Sequence, residues 1–176
     1  MKRTRLIHSS EEPLFSVFGP LHQFLVQPAD TSGAFALMRI VVPPGVAIPL
    51  HSHADPEVFF AMDGGLDVFA YNGDPGDWMT AVSGDVVSIS SNVKHAIRNS
   101  SPSPTVLLLA TTPAIHGFFQ DLAIPFDPKL PGAPPSRGDM ERMQALAARY
   151  GYWIASPQEN EAIGLVMKPE GADASA

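Results

Sequence analysis

Five turn signals cut residues 14–113 into short apolar runs, and this punctuation constrains the fold more than any other feature of the chain. The signals are Pro43-Pro44-Gly45, Gly64-Gly65, Asn72-Gly73-Asp74-Pro75-Gly76, Ser83-Gly84-Asp85 and Ser101-Pro102-Ser103-Pro104. Proline and glycine at this spacing leave no room for helices but suit strands of four to eight residues. The runs between them, 35–42, 57–62, 66–71, 86–90, 95–99 and 105–111, are rich in β-branched and aromatic residues. The pattern predicts an all-β sandwich or barrel.

After Pro113 the texture changes. Residues 115–122 fit a short helix with Phe118, Phe119 and Leu122 on one side. Pro125, Pro128, Pro131, Pro134 and Pro135 then enforce an extended connector. Ser136 and Asp139 have capping-box spacing, and Met140, Met143, Leu146, Ala147 and Tyr150 recur at helical intervals up to a Gly151 stop. This predicts a second helix over 138–150 with a Met-Leu-Tyr face to bury. Residues 168–176 read as a frayed end. The division is thus N-terminal strands over 1–34, a barrel over 35–113, and a helical and Pro-rich extension over 114–176 that packs on the barrel.

An apolar fraction of 45% in 176 residues supplies a real core. Eighteen acidic residues against 11 Lys and Arg argue against nucleic acid or an anionic membrane as partner. No window reads as a membrane span or signal peptide, and the absence of cysteine rules out thiolate ligands. We expect a cytoplasmic protein.

Within the barrel region, His51, His53 and Glu57 lie within seven residues of one another, and His95 follows on a later run. Alternation along a strand puts His51 and His53 on one side, with Glu57, Phe59 and Ala61 sharing that parity if no bulge intervenes. His95, Ile97 and Asn99 share a face of their own. Turned into one barrel, the four polar groups meet in an apolar interior, where burial is costly without a metal or a hydrogen-bond network. Three imidazoles and a carboxylate suit one divalent transition metal: iron, manganese, nickel, cobalt, copper or zinc.

These residues resemble the cupin superfamily. The first cupin motif, G-x5-H-x-H-x3-E-x6-G, is met by Gly45, His51, His53, Glu57 and Gly64. The second, G-x5-P-x-G-x2-H-x3-N, is met by Gly84, His95 and Asn99. Ser90 replaces its proline and Asn92 its glycine; asparagine tolerates the positive φ such a turn needs. The resemblance implies a double-stranded β-helix, the cupin jelly-roll barrel, with a short helical C-terminal extension. It implies His51, His53, Glu57 and His95 as metal ligands. Residues 115–125, the connector and a helix ending Ala147-Ala148-Arg149-Tyr150-Gly151 are similar to the tail of cupins of the quercetin dioxygenase type.

That second likeness implies an oxidoreductase, a quercetinase-like dioxygenase for a small organic or aromatic substrate, with Glu57 as ligand and possible base. Phe59, Met38, Phe69 and Ile97 are the candidate pocket walls, against ordinary core packing as the plainer reading. His22 reads as a surface or packing residue rather than part of a cavity mouth. Val58, Phe60 and Met62 make the outward face of their strand apolar, which predicts a cover from a second subunit, as in a homodimer, or from the chain ends. Two alternatives stand beside the dioxygenase. One is a metal-dependent isomerase, disfavoured because Arg39, Lys94 and Arg98 are the only cations of the barrel region. The other is a ligand-binding or sensing cupin without turnover.

Overall fold

The computed structural model describes residues 4–73, 75–129 and 136–165. Pro131, Pro134 and Pro135 of the connector and the end at 168–176 lie outside the described residues. In chain order the first strands are β1 (Phe15–Ser16), β2 (Leu21–Val26), β3 (Ala36–Val42), β4 (Ala47–Ser52), β5 (Glu57–Asp63) and β6 (Gly65–Ala70). Then come β7 (Asp77–Val82), β8 (Val86–Ile89), β9 (His95–Arg98) and β10 (Thr105–Thr111). The extension holds α1 (Pro113–Leu122), β11 (Ile124–Pro125), α2 (Arg137–Arg149), β12 (Trp153–Ile154) and α3 (Pro157–Ala162).

The strands form two antiparallel sheets, ordered β11-β1-β2-β3-β10-β5-β8 and β12-β4-β9-β6-β7. This is the expected mostly-β double-stranded β-helix. Strict alternation builds the core: β3 and β10 bury every second residue, and so does β5 over its first five. Met38, Ile40, Val42, Phe59, Ala61, Leu107 and Leu109 thereby meet Leu66, Val68 and Ile97 of the opposite sheet. The five-stranded sheet is apolar on its other face as well. There Leu50, Phe69 and Ala96 pack with Trp78, Trp153, Ala155 and Leu165, so residues after α2 cover this outer face.

The motif positions other than the histidines and the glutamate hold the turns. Gly64 has φ +79, and an added Cβ would lie 3.0 Å from the Pro104 carbonyl oxygen, so glycine is required for both conformation and space. Asn92 adopts φ 63, as its chemistry allows, and its N–H donates to the His53 carbonyl at 2.7 Å. Replacement of the motif glycine therefore keeps the turn, and the backbone at this position ties it to a site residue. Asn99 is buried; its side-chain amide donates to the Val42 and Ser103 carbonyls, and its oxygen accepts from Ser101.

The extension is tied to the barrel at its start and again after α2, and its second helix is capped in between. Thr112 caps α1, and its hydroxyl donates to the Asp55 carboxylate at 2.7 Å. Ser136 and Asp139 form the expected capping box of α2. At the far end of α2, Gly151 takes φ +72 and the Tyr152 N–H returns to the Ala147 carbonyl at 2.8 Å. The chain then pairs Trp153 with Ser52 and Ile154 with His51. No described helix is long and apolar enough to cross a membrane.

Candidate metal centre and cavity

The four motif residues come from both sheets. His51 and His95 face each other across the β4–β9 pair, their ring centroids 4.2 Å apart. His53 lies in the turn after β4, and Glu57 opens β5 in the other sheet. One atom from each can be chosen so that all four lie within 4.8 Å of one another. Simple alternation does not account for this. The β4–β9 register shifts between Ile48 and His51, a bulge that accommodates Pro49, and a turn separates His53 from Glu57.

Each imidazole is fixed the same way. Nδ1 of His51 lies 2.8 Å from the Pro49 carbonyl, Nδ1 of His53 2.7 Å from the Asp55 carbonyl, and Nδ1 of His95 2.9 Å from the Val93 carbonyl. A carbonyl oxygen only accepts, so Nδ1 carries the proton in all three rings. In the neutral rings Nε2 is then a bare lone pair. Nε2 of His53 and of His95 lie 3.5 and 3.3 Å from the same Glu57 oxygen. Nε2 of His95 is buried and meets no hydrogen-bond partner among the described residues. Lone pairs facing a carboxylate repel unless positive charge lies among them. A divalent cation supplies that charge, and these donors fit one.

The electrostatics point the same way. Burial opposes the Glu57 charge, but His53 and His95 outweigh it and bring its pKa to about 2. Burial also acts against a charged His53, yet its contacts with Glu57 raise it above the ordinary histidine value. His51 falls to about 3, first through burial and then through repulsion by His95. The centre thus holds an ionised carboxylate and at least one imidazole kept neutral.

His51, His53 and Glu57 open onto a cavity of about 290 Å³. Phe59 and Ile97 line it, as do Ile40, Val42, Ile48 and Leu107. The extension supplies the remaining wall with Phe118, Phe119, Leu122, Met140, Met143, Tyr152 and Ile154. Two proposed wall residues are corrected. Phe69 packs on Trp78 and Tyr71 at the outer face of the five-stranded sheet, because it has the opposite parity to Leu66 and Val68. Met38 is fully buried in the core, outside the cavity lining.

Two further residues reach the cavity, one that the sequence placed elsewhere and one that it did not single out. His22, read as a surface or packing residue, is buried against Phe119 and also lines the cavity. Burial lowers its pKa to about 4. Tyr152 stacks on His53, and its hydroxyl is buried; burial, then the Glu57 charge, pushes its pKa far up. Its only sequence signal was an aromatic residue just after the Gly151 helix stop.

Fold and site together define a cupin-type β-barrel with a candidate transition-metal centre in an apolar cavity. Residues 38–111 match the cupin domain family, and this part of the chain is a cupin domain. It resembles a predicted oxalate decarboxylase from Thermotoga maritima, at 20% identity and TM-score 0.55, over 61% of this chain and 98% of the other. It resembles the polyketide cyclase RemF from Streptomyces resistomycificus, at 15% identity and TM-score 0.56, over 63% and 80%. A cupin 2 domain-containing protein from Halorhodospira halophila matches over 89% of this chain and 88% of its own, at 20% identity and TM-score 0.51. At these identities the likeness concerns the fold. No curated protein sequence matches the chain.

His22 generates a pH prediction. The unfolded chain takes up its proton near pH 6.5 and the folded chain near 4, so stability is lost as pH falls through this window. The depression corresponds to about 3 kcal/mol at most. Urea denaturation of the His22→Gln variant from pH 7 to 4 should show a shallower loss than the parent; identical slopes would contradict the assignment.

Proposed function

We propose that this cupin is a metal-dependent oxidoreductase, a quercetinase-like dioxygenase acting on a small enolic or aromatic molecule. The observation that carries the reading is the set of three imidazoles, each held at Nδ1 by a carbonyl, grouped with Glu57 beside an apolar cavity. His51, His53, His95 and Glu57 would hold one divalent ion. When bound, such an ion supplies Lewis acidity and, if redox-active, a route for electrons between substrate and dioxygen.

The chain's own groups do the rest. Glu57 is an ionised carboxylate and can accept the proton of an enol or phenol in the cavity. Phe59, Ile97 and Phe118 exclude water around it. The cavity sits at the small end of the roughly 300–1,000 Å³ usual for small-molecule sites, which favours substrates of one or two rings. The cations of the barrel region are engaged elsewhere. Arg39 donates to Gln23, Lys94 lies over Trp153, and Arg98 pairs with Asp67 beside Trp78. A clamp for sugar phosphates is thus missing among the described residues, which disfavours the isomerase. The similar folds of a predicted oxalate decarboxylase and a polyketide cyclase illustrate that this architecture serves several reactions.

A homodimer is the second part of the proposal. Val58, Phe60, Met62 and Val86 remain exposed on the outer face of β5 and β8, and the described part of the tail covers the other sheet. Sedimentation should give a dimer that Phe60→Glu dissociates; a monomeric parent would refute the contact.

Protein purified without chelator should carry close to one transition-metal ion per chain by mass spectrometry, and His53→Ala and His95→Ala should each reduce it to background. Unchanged content in both variants would refute the ligand assignment. Metal-loaded protein should consume oxygen with enols or phenols of one or two rings, and Glu57→Gln should slow that by roughly a hundredfold or more. A panel without substrate-dependent uptake would leave a binding cupin instead of a dioxygenase.

A further inference from the structure

Five polar side chains line the cavity: His22, His51, His53, Glu57 and Tyr152. Three are accounted for by the metal reading. Tyr152 is not, and it is held with unusual care. Its ring lies between His53, at 4.8 Å, and Phe118, at 4.3 Å, tilted about 35–37° to each. Its backbone N–H is fixed by Ala147, and the next two residues are paired with Ser52 and His51. The strand that carries His51 therefore also positions Tyr152.

Nothing in this packing needs a hydroxyl. A phenylalanine would fill the same space between His53 and Phe118. Yet the Tyr152 hydroxyl is buried and meets no partner among the described residues. Two residues earlier, Tyr150 shows the ordinary solution, with its hydroxyl donating to Asp121 at 2.9 Å. A buried, unpaired phenol beside a ligand-binding centre is costly in the free protein and becomes satisfied when a ligand presents an acceptor.

We propose that the Tyr152 hydroxyl donates a hydrogen bond to an oxygen of a ligand seated at the His51/His53/Glu57/His95 centre. The cavity then selects hydroxy-ketones and phenols with an apolar body. The proposal rests on the metal reading above and adds a positioning and specificity residue from the extension, outside the region matching the cupin family. An ionised or strongly polarised ligand oxygen makes this bond stronger than one between neutral groups. The apolar wall accepts the rest of the molecule, and among the described residues no cation lines it to reward a second negative charge.

Tyr152→Phe isolates the hydroxyl. Cobalt-loaded parent and variant are titrated calorimetrically with tropolone, a hydroxy-ketone, and with pyridine, which offers one nitrogen and no oxygen acceptor. Cobalt content and melting temperature should match in the two proteins. Tropolone should bind the variant roughly ten- to a hundredfold more weakly, while pyridine binds both alike. Equal tropolone affinities, or no tropolone binding to the cobalt-loaded parent, would overturn the role of Tyr152. An equal loss for pyridine would also overturn it, because the tyrosine would then only shape the centre. A parent that fails to hold cobalt would instead sink the metal reading, and this proposal with it.

Discussion

The buried carboxylate of Glu57 is the constraint around which the barrel is arranged. It stands at the start of β5, almost wholly inside the protein, and remains ionised. A charge in that position needs compensation. The surrounding groups are imidazoles whose Nδ1 protons are already committed to backbone carbonyls. In their neutral forms, the rings offer Glu57 lone pairs rather than hydrogens. Either a proton taken up by an imidazole or a cation among the four groups resolves the conflict. The three matching Nδ1 anchors favour the cation, because they orient each ring for donation from Nε2.

The rest of the fold delivers this geometry. Two sheets supply the four clustered side chains from opposite sides, and a bulge at Pro49 lets β4 carry an interior histidine beside a turn. Asn92 ties the second motif turn to His53, and Asn99 closes the loop below it. The extension completes the cavity wall through α1 and α2 and brings Tyr152 to His53. Barrel and tail thus share one site.

Much of this was legible in the sequence because it is local. The spacing of His51, His53 and Glu57 and the capping box of Ser136 and Asp139 are short-range patterns with physical meaning. Six strands followed from turn chemistry. The strand that bears His51 did not, because Pro49 interrupts its pattern. Residues 77–82 did not either, since β7 is largely exposed and shows no clear apolar alternation. Phe69 was misplaced because the five-stranded sheet is apolar on both faces, and a pattern with no polar side cannot say which is inward. Met38 shows a second limit: parity gives the face of a strand but not the depth along the barrel. Tyr152 reaches the site through tertiary packing of a segment far along the chain, which no local pattern records.

The central claim is that the three histidines and Glu57 converge on one ion through Nε2 and the carboxylate. Crystals of metal-loaded protein, with anomalous scattering measured at the metal edge, test it directly. The account predicts a single strong peak per chain, roughly 2.0–2.3 Å from Nε2 of His51, His53 and His95 and from a Glu57 oxygen. A peak elsewhere, coordination through Nδ1, or fully loaded crystals with no peak at these residues would contradict it.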